Sequence, residues 1–413
     1  MGRENKSLTS LRGLAALSVV FLHIISTYSF FSWIESLPSG AIISFALTRT
    51  PLGVIFAGES AVILFFVLSG LVLAIPFVDG RPPSISSFFI RRACRIYVPY
   101  VAASVFALAV RALVVPHTVP GTTDWFRTFW SEAISASMVI GHLVMTGFSQ
   151  HINNINPVTW SLVHELRISI IFPFLIAALG LTRSTVSRVS AALVFSAACM
   201  VGIYHIRDTE AVSSFAHNVG LSLLQTGQFL WLFVVGIELA RHRMRLRRLA
   251  GRLAPSMICA MFIISLSLYC VEKELTYPAF RAISVFLVGL GSTGIITLAL
   301  ISPALERILA VRPAVFLGEV SFSLYLIHPI ILLGMVIGLD GLVRPWIIAA
   351  LVPLVSVAVA WAARRYIELP SIHAGRKLAG ALTGCESGRG RLPVRSDRRI
   401  GEELGVLSAP ALF

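Results

Sequence analysis

The chain has 413 residues, of which 56% are apolar and only 13% are charged, and its formal net charge is +14. So little charge excludes an ordinary soluble protein of this length, whereas a bilayer requires repeated apolar runs of about 20 residues. The basic residues lie in short segments between such runs, so no basic face with interleaved aromatic side chains is available to bind nucleic acid. The five cysteines are scattered without ligand spacing, which argues against a zinc site and a disulfide framework.

Ten apolar runs predict membrane-spanning helices. In chain order they lie near residues 11–31, 52–77, 97–115, 157–180, 187–206, 219–240, 254–271, 280–301, 314–338 and 346–364. We therefore expect an all-α, polytopic membrane helix bundle of about ten transmembrane helices.

The first run carries the most informative pair of residues, Arg12 and His23. Eleven residues at 100° each make three full turns plus about 20°, so the two side chains share a helix face. Arg12 lies about 16 Å nearer the start of the helix. An ionisable side chain inside a membrane helix is costly, which favours a functional role for His23. The alternatives are a core histidine bonded to a neighbouring helix and, for Arg12, a snorkelling arginine at the membrane surface.

Clusters of Lys and Arg predict the orientation, because cytoplasmic loops collect basic residues. The clusters are Arg3, Lys6 and Arg12; Arg81, Arg91, Arg92 and Arg95; Arg183 and Arg188; the run 241–252; Arg307 and Arg312; and Arg364, Arg365, Arg376 and Lys377. Both termini are therefore expected in the cytoplasm. Between the clusters at 81–95 and 183–188 the chain must cross an even number of times. The short apolar stretch 133–147 is therefore assigned to a re-entrant or interfacial element outside, within a folded polar cap at 116–156.

The last 43 residues differ in composition from the rest, since they are rich in Gly, Ser and Arg and poor in aromatic residues. Such a segment buries too little apolar surface to fold by itself. We therefore expect a transmembrane domain at 1–370 and a basic, disordered cytoplasmic tail at 371–413. The charge of the tail favours contact with anionic lipid headgroups.

Six motifs follow one another along the first 370 residues. They are LTSLRGLAALSVVFLHI (8–24), GESAVILFFVLSGLVLA (58–74), FFIRRACRIYVPY (88–100), NPVTWSLVHELRISIIFP (156–173), LGEVSFSLYLIHPII (317–331) and RRYIELP (364–370). In this order the chain resembles the acyltransferase-3 family of membrane-bound acyltransferases. The first motif contributes the family's pattern of a basic residue, ten residues and His, and the fourth contributes WSLxxE. The chain departs from the family pattern at Leu166, where a second acidic residue is common.

The resemblance implies an integral, multi-pass O-acyltransferase of the cell (inner) membrane. Such an enzyme moves an acetyl or other acyl group from acetyl-CoA to a hydroxyl of a polysaccharide, a lipid-linked sugar or a glycolipid. Acetyl-CoA is then the co-substrate, and no metal is expected. The expected partners are acyl-CoA, a carbohydrate or lipid-linked glycan acceptor, and the lipid bilayer.

The reaction needs a base to activate the hydroxyl, donors to stabilise the oxyanion, and a site for a polyanionic carrier. His23 is the candidate base, because the unperturbed pKa of histidine lies near neutrality. Arg12 is placed at the cytoplasmic mouth to hold the phosphates of CoA or to orient the helix. Two mechanisms remain open, namely direct attack of the acceptor hydroxyl on the thioester and a transient acyl-enzyme.

The remaining candidate residues come from three other motifs. Arg91, Arg92 and Arg95 are candidate phosphate ligands, with topogenic charge as the alternative. Glu165, expected near the outer end of its helix, binds acceptor hydroxyls or pairs with Arg167 or His164. His328 is either a second active-site group or a core histidine bonded to a carbonyl freed by the following proline.

The rival interpretation is a proton-coupled transporter or flippase of an envelope glycan precursor. His23, Glu165 and His328 would then form a proton relay. A relay of this kind usually uses several carboxylates deep in the bundle, and this chain is poor in them. The sequence therefore favours the enzyme.

Overall fold

The computed structural model describes residues 3–145, 154–182, 184–208, 215–271 and 278–388. These ranges are overwhelmingly helical, and the extended pairing within them is an isolated bridge between Tyr28 and Thr122. The prediction of an all-α polytopic bundle is confirmed.

The described ranges contain seventeen α-helices, one 3-10 helix and one π-helical turn. In chain order they are α1 (Arg3–Thr27), α2 (Phe30–Glu35), α3 (Gly40–Arg49), a 3-10 helix (Pro51–Phe56), α4 (Gly58–Val78), α5 (Ile85–Val114), α6 (Asp124–Arg127), α7 (Ala136–Leu143), α8 (Thr159–Gly180), α9 (Thr185–Asp208), α10 (Phe215–Gly227), α11 (Leu230–Ala250), α12 (Pro255–Tyr269), α13 (Pro278–Ile301), α14 (Pro303–Leu309), α15 (Arg312–Gly338), α16 (Pro345–Ala363), a π-helical turn (Arg364–Glu368) and α17 (Leu369–Gly388).

Each predicted span is mostly helical over its described residues, but two of them differ from a single spanning helix. Within the described ranges, nine helical segments are long and apolar enough to cross a membrane. The predicted span at 254–271 is α12, whose 15 residues fall short of the roughly 20 that a full crossing usually needs. The predicted helix at 219–240 is divided, because α10 ends at Gly227 and α11 begins at Leu230. Over its described residues, 133–145, the stretch 133–147 contains the eight-residue α7, which is too short to span.

Helix α15 is the most deeply buried long helix, and α1 packs along it. The two helices touch at Gly13 and Gly318, where a Cβ atom on either glycine would overlap the backbone of the other helix. Ten residues further along each helix, His23 contacts His328, so α1 and α15 run in the same direction. Small residues at the crossing thus bring the first and the fifth sequence motif side by side.

Loops that the basic clusters assign to one side of the membrane contact one another. Arg243, late in α11, pairs with Asp79 at the end of α4, and both positions are predicted to be cytoplasmic. At the opposite end, His117 after α5 lies 3.2 Å from Asp340 after α15, and both loops are predicted outside. These contacts agree with the predicted topology, while the assignment of the two sides stays a prediction. Arg183, which belongs to one predicted cytoplasmic cluster, lies outside the described residues.

The sidedness is tested by labelling single cysteines introduced into a background without the native ones. Asp124→Cys, at a fully exposed side chain in the cap, is expected to react with a membrane-impermeant maleimide in intact cells. Arg245→Cys, at an exposed position in the basic run, is expected to react only after permeabilisation. Labelling with the opposite pattern would show that the topology is inverted.

The tail differs from its predicted disorder over residues 371–388. Helix α17 continues through Gly388 and packs against α5. Its buried positions include the small residues Ser371, Gly375 and Ala379, which are spaced four apart and so share one face. Composition alone counts such residues as flexible, but at this spacing they allow close packing of two helices. Residues 389–413 lie outside the described ranges, and the domain division at 370 stays a prediction.

Candidate functional site

A cavity of about 490 Å³ opens between α1, α4, α5, α8 and α15. Its volume lies in the range of small-molecule sites. Apolar and aromatic side chains form most of its wall. Its charged lining consists of Arg12, Arg81, Arg91, Arg92, Arg95 and Glu165. Five guanidinium groups against one carboxylate make the cavity suited to a polyanionic ligand.

The arginines of α5 divide into two sets. Arg91 and Arg95 are one helical turn apart and share a face, whereas Arg92 is rotated by about 100° toward α8. The Arg92 Nη2 donates to Glu165 Oε1 at 3.2 Å and to Ser169 Oγ at 2.7 Å. Arg92 is therefore held by protein groups, and Arg91 and Arg95 line the cavity beside it.

Glu165 was expected near the outer end of its helix, either to bind acceptor hydroxyls or to pair with Arg167 or His164, and the predicted pairing was wrong. Glu165 lies in the basic cavity, where it accepts hydrogen bonds from Arg92 and, at 3.1 Å, from the Ser69 hydroxyl. Arg167 instead donates to Ser222 and Thr226, since α10 and not α5 lies beside that face of α8.

Arg12 lies in the same cavity and connects α1 to α15. Its Nη2 donates to Ser321 Oγ at 3.1 Å. The carboxylates of Glu368 and Glu165 attract the Arg12 charge, whereas Arg95 and Arg92 repel it. Arg12 thus lies inside a mixed charge network that lines the cavity.

His23 and His328 form a hydrogen-bonded pair outside the cavity lining. The Nδ1 of His23 lies 3.0 Å from the Nε2 of His328, and the Nδ1 of His328 lies 3.0 Å from the carbonyl oxygen of Leu324. His328 is fully buried, whereas His23 keeps part of its surface accessible. His328 therefore contacts the candidate base and bonds the carbonyl of Leu324, whereas the carbonyl that Pro329 leaves without its helical donor is that of Tyr325.

The hydrogen bonds of this pair determine where the protons lie when both rings are neutral. Because the Leu324 carbonyl can only accept, the Nδ1 of His328 carries the hydrogen, and its Nε2 accepts. His23 must then donate its own Nδ1–H to His328. The Nε2 of His23 is left with a free lone pair, which is the arrangement of a general base.

Tyr325 stands between the cavity and the histidine pair. Its ring lines the cavity, packs edge-on against Phe65, and lies 6.1 Å, centre to centre, from the ring of His328. The Tyr325 hydroxyl lies 2.6 Å from Ser161 Oγ, which joins the fourth motif to the fifth. Tyr325 is a site residue that sequence reasoning missed, although it lies inside a quoted motif.

The opposite side of His23 is covered by the outer cap. The rings of His23 and Trp125 are 5.0 Å apart between centres. The cap is held on the end of α1 by Thr123, whose N–H donates to the Thr27 carbonyl at 2.9 Å. His23 therefore lies between α15 and the first helix of the cap, α6.

Sequence reasoning also missed a buried carboxylate. Glu368 is buried at the end of the π-helical turn, and its carboxylate accepts from the Ser323 hydroxyl at 2.6 Å. Its signal was present, since Glu368 is the acidic residue of the last motif. Ser69 and Ser323 each donate to a carboxylate, which is a structural role.

Among the described residues no group of three or more His, Cys, Asp or Glu is placed to hold a metal ion.

In a comparison with protein-family models, residues 5–365 match the model of the acyltransferase-3 family, which is described as an acyltransferase domain. This range contains the basic cavity and both histidines, whereas Glu368 and α17 lie beyond it. Comparisons with curated proteins and with solved structures gave no significant match.

Proposed function

The chain belongs to the acyltransferase-3 family, and from this premise we propose that it is an O-acetyltransferase of the cell inner membrane. It moves an acetyl group from acetyl-CoA to a hydroxyl of an envelope polysaccharide, a lipid-linked sugar or a glycolipid. An acyltransferase with several membrane helices needs sites for an acyl donor and an acceptor, and it lies in the lipid bilayer. We infer that the basic cavity binds the donor and that the histidine pair carries out the transfer.

The observation that carries the proposal is the separation between the basic cavity and the histidine pair. Arg12 and His23 share a face of α1 but lie about 16 Å apart along it. In acetyl-CoA the phosphates and the thioester are likewise separated by the long pantetheine arm. A carrier with its phosphates among the arginines can therefore present its thioester near His23.

His23 acts as the base in this proposal. Its Nε2 takes the proton of the acceptor hydroxyl while the oxygen forms a bond to the thioester carbonyl carbon. When the C–S bond breaks, the CoA sulfur leaves with the electron pair and receives the proton from His23. His328 is a positioning residue, because it holds His23 in the tautomer that leaves Nε2 free. A short-lived acyl-His would require the same lone pair, so both mechanisms depend on this tautomer.

The proposed function is tested with purified protein in nanodiscs, radiolabelled acetyl-CoA and an envelope glycan fraction. We expect transfer of the label to glycan, and slow hydrolysis of acetyl-CoA when the acceptor is omitted. Glycan acetylation should also disappear in a strain that lacks the gene. A protein that neither binds nor consumes acetyl-CoA but drives proton-coupled glycan transport would overturn the proposal in favour of the transporter.

Arg95→Gln is expected to raise the KM for acetyl-CoA about tenfold and to leave the KM for the acceptor unchanged. The physical reason is the loss of one charge-assisted phosphate contact, worth about 1.5–3 kcal/mol. The variant should insert normally, since Arg95 repels Arg12 and its removal relieves that repulsion.

Arg312→Gln is the matched control, because Arg312 is an exposed arginine in another predicted cytoplasmic cluster and does not line the cavity. Its saturation curves should equal those of the wild type. An unchanged donor curve for Arg95→Gln would instead identify this arginine as an orientation signal only.

A further inference from the structure

Helix α17 approaches α5 at the arginines that line the cavity. A Cβ atom on Gly375 would lie 2.8 Å from the Cβ of Cys94 and 3.6 Å from the Cα of Arg91. Such a close approach requires glycine at this position. It places the residue that follows Gly375 beside the basic part of α5.

That residue is Arg376, and its charge interacts with those of Arg91 and Arg95. None of these three arginines has a carboxylate partner within the part of the chain that the structure describes. Packing α17 here therefore brings a third cation toward two others without neutralising any of them. A fold that concentrates unpaired guanidinium groups at one place is stabilised by an anion with several charges.

We propose that Arg376 completes the donor site and binds the ribose 3′-phosphate of CoA. This inference rests on the proposed function. Arg91 and Arg95 line the cavity, whereas Arg376 does not. Gly375 packs against Arg91 and Cys94 near the start of α5, whereas the end of α5 contacts Gly338, beyond His328 on α15. Arg376 therefore lies toward the end of the bundle away from the histidine pair. In CoA the thioester comes first, the pyrophosphate follows the pantetheine arm, and the 3′-phosphate is at the far end. The order of groups along the carrier thus assigns the 3′-phosphate, which is farthest from the thioester, to Arg376.

Helix α17 then takes part in donor binding, although it lies beyond the residues that match the family model. An anionic lipid headgroup offers the same phosphate chemistry, so the test is made in nanodiscs of neutral phosphatidylcholine. Binding of CoA and of 3′-dephospho-CoA is measured by calorimetry for the wild type, Arg376→Gln and Lys377→Gln. Lys377 is the matched control, because it is the next residue on α17, is exposed, and points about 100° away.

We expect Arg376→Gln to weaken binding of CoA about tenfold, as the loss of one phosphate contact predicts. The same variant should bind 3′-dephospho-CoA as the wild type does, and Lys377→Gln should change neither affinity. Equal losses for both ligands, or no loss for CoA, would overturn the assignment of the 3′-phosphate to Arg376. If the wild type itself does not bind CoA, the proposed function fails, which is a separate outcome.

Discussion

His23→Ala is expected to lower the rate of acetyl transfer by about 10²–10⁴-fold, the usual cost of losing a general base. His23 is the proposed base, because donating its Nδ1–H to His328 leaves the lone pair of its Nε2 free. Binding of CoA should remain close to that of the wild type, since His23 does not line the basic cavity. The measurements are kcat with labelled acetyl-CoA and the Kd of CoA.

Two substitutions of His328 distinguish a positioning role from a packing role. His328→Gln keeps an acceptor for the Nδ1–H of His23, whereas His328→Ala removes it. We expect the glutamine variant to retain a clearly larger share of the activity at equal amounts of inserted protein. Near-normal transfer by His23→Ala would show that this histidine is a core residue, and equal activities of the two His328 variants would exclude tautomer control.

The second large effect is expected on stability. Arg92→Gln removes the only cation paired with Glu165 in the described part of the chain, at a site where both side chains are mostly buried. Breaking such a pair leaves an uncompensated charge, which costs about 3 kcal/mol. The melting temperature of the detergent-solubilised protein should fall by several degrees, and activity should fall with it.

The double variant Arg92→Gln/Glu165→Gln separates the ion pair from catalysis. Because neither position of this pair is then charged, the melting temperature should return most of the way to the wild-type value. Glu165→Gln alone should be the milder single change, since the Arg92 guanidinium keeps its bond to the Ser169 hydroxyl. Equal destabilisation by the double variant and by Arg92→Gln would contradict an energetic coupling between the two residues.

Several features of this protein could be predicted from local sequence. The helical class follows from apolar runs, because a chain in lipid must satisfy its backbone hydrogen bonds within each segment. The shared face of Arg12 and His23 follows from helix geometry alone. The concentration of arginines near the start of α5 was likewise visible as a cluster, and all three line the cavity together with Arg12.

Partners across the bundle could not be predicted in this way. Glu165 was expected to pair with Arg167 or His164 on its own helix, but it pairs with Arg92 of α5. The rotation of each helix about its axis depends on the helices packed against it, and local sequence does not show them. The tail illustrates the same limit, since Ser371, Gly375 and Ala379 resemble a flexible linker until α5 is beside them. Small residues have little apolar surface of their own, so their contribution depends on the surface of a second helix.

The sequence by itself therefore determined the membrane class, the family and most of the charged residues that line the cavity. Only the tertiary structure decided that these residues form two clusters, a basic cavity and a histidine pair with Tyr325 between them. The physical reason is that periodicity specifies the direction of a side chain relative to its own helix. Which lone pair is free, and which charge remains unpaired, depends on groups that lie hundreds of residues away in the chain.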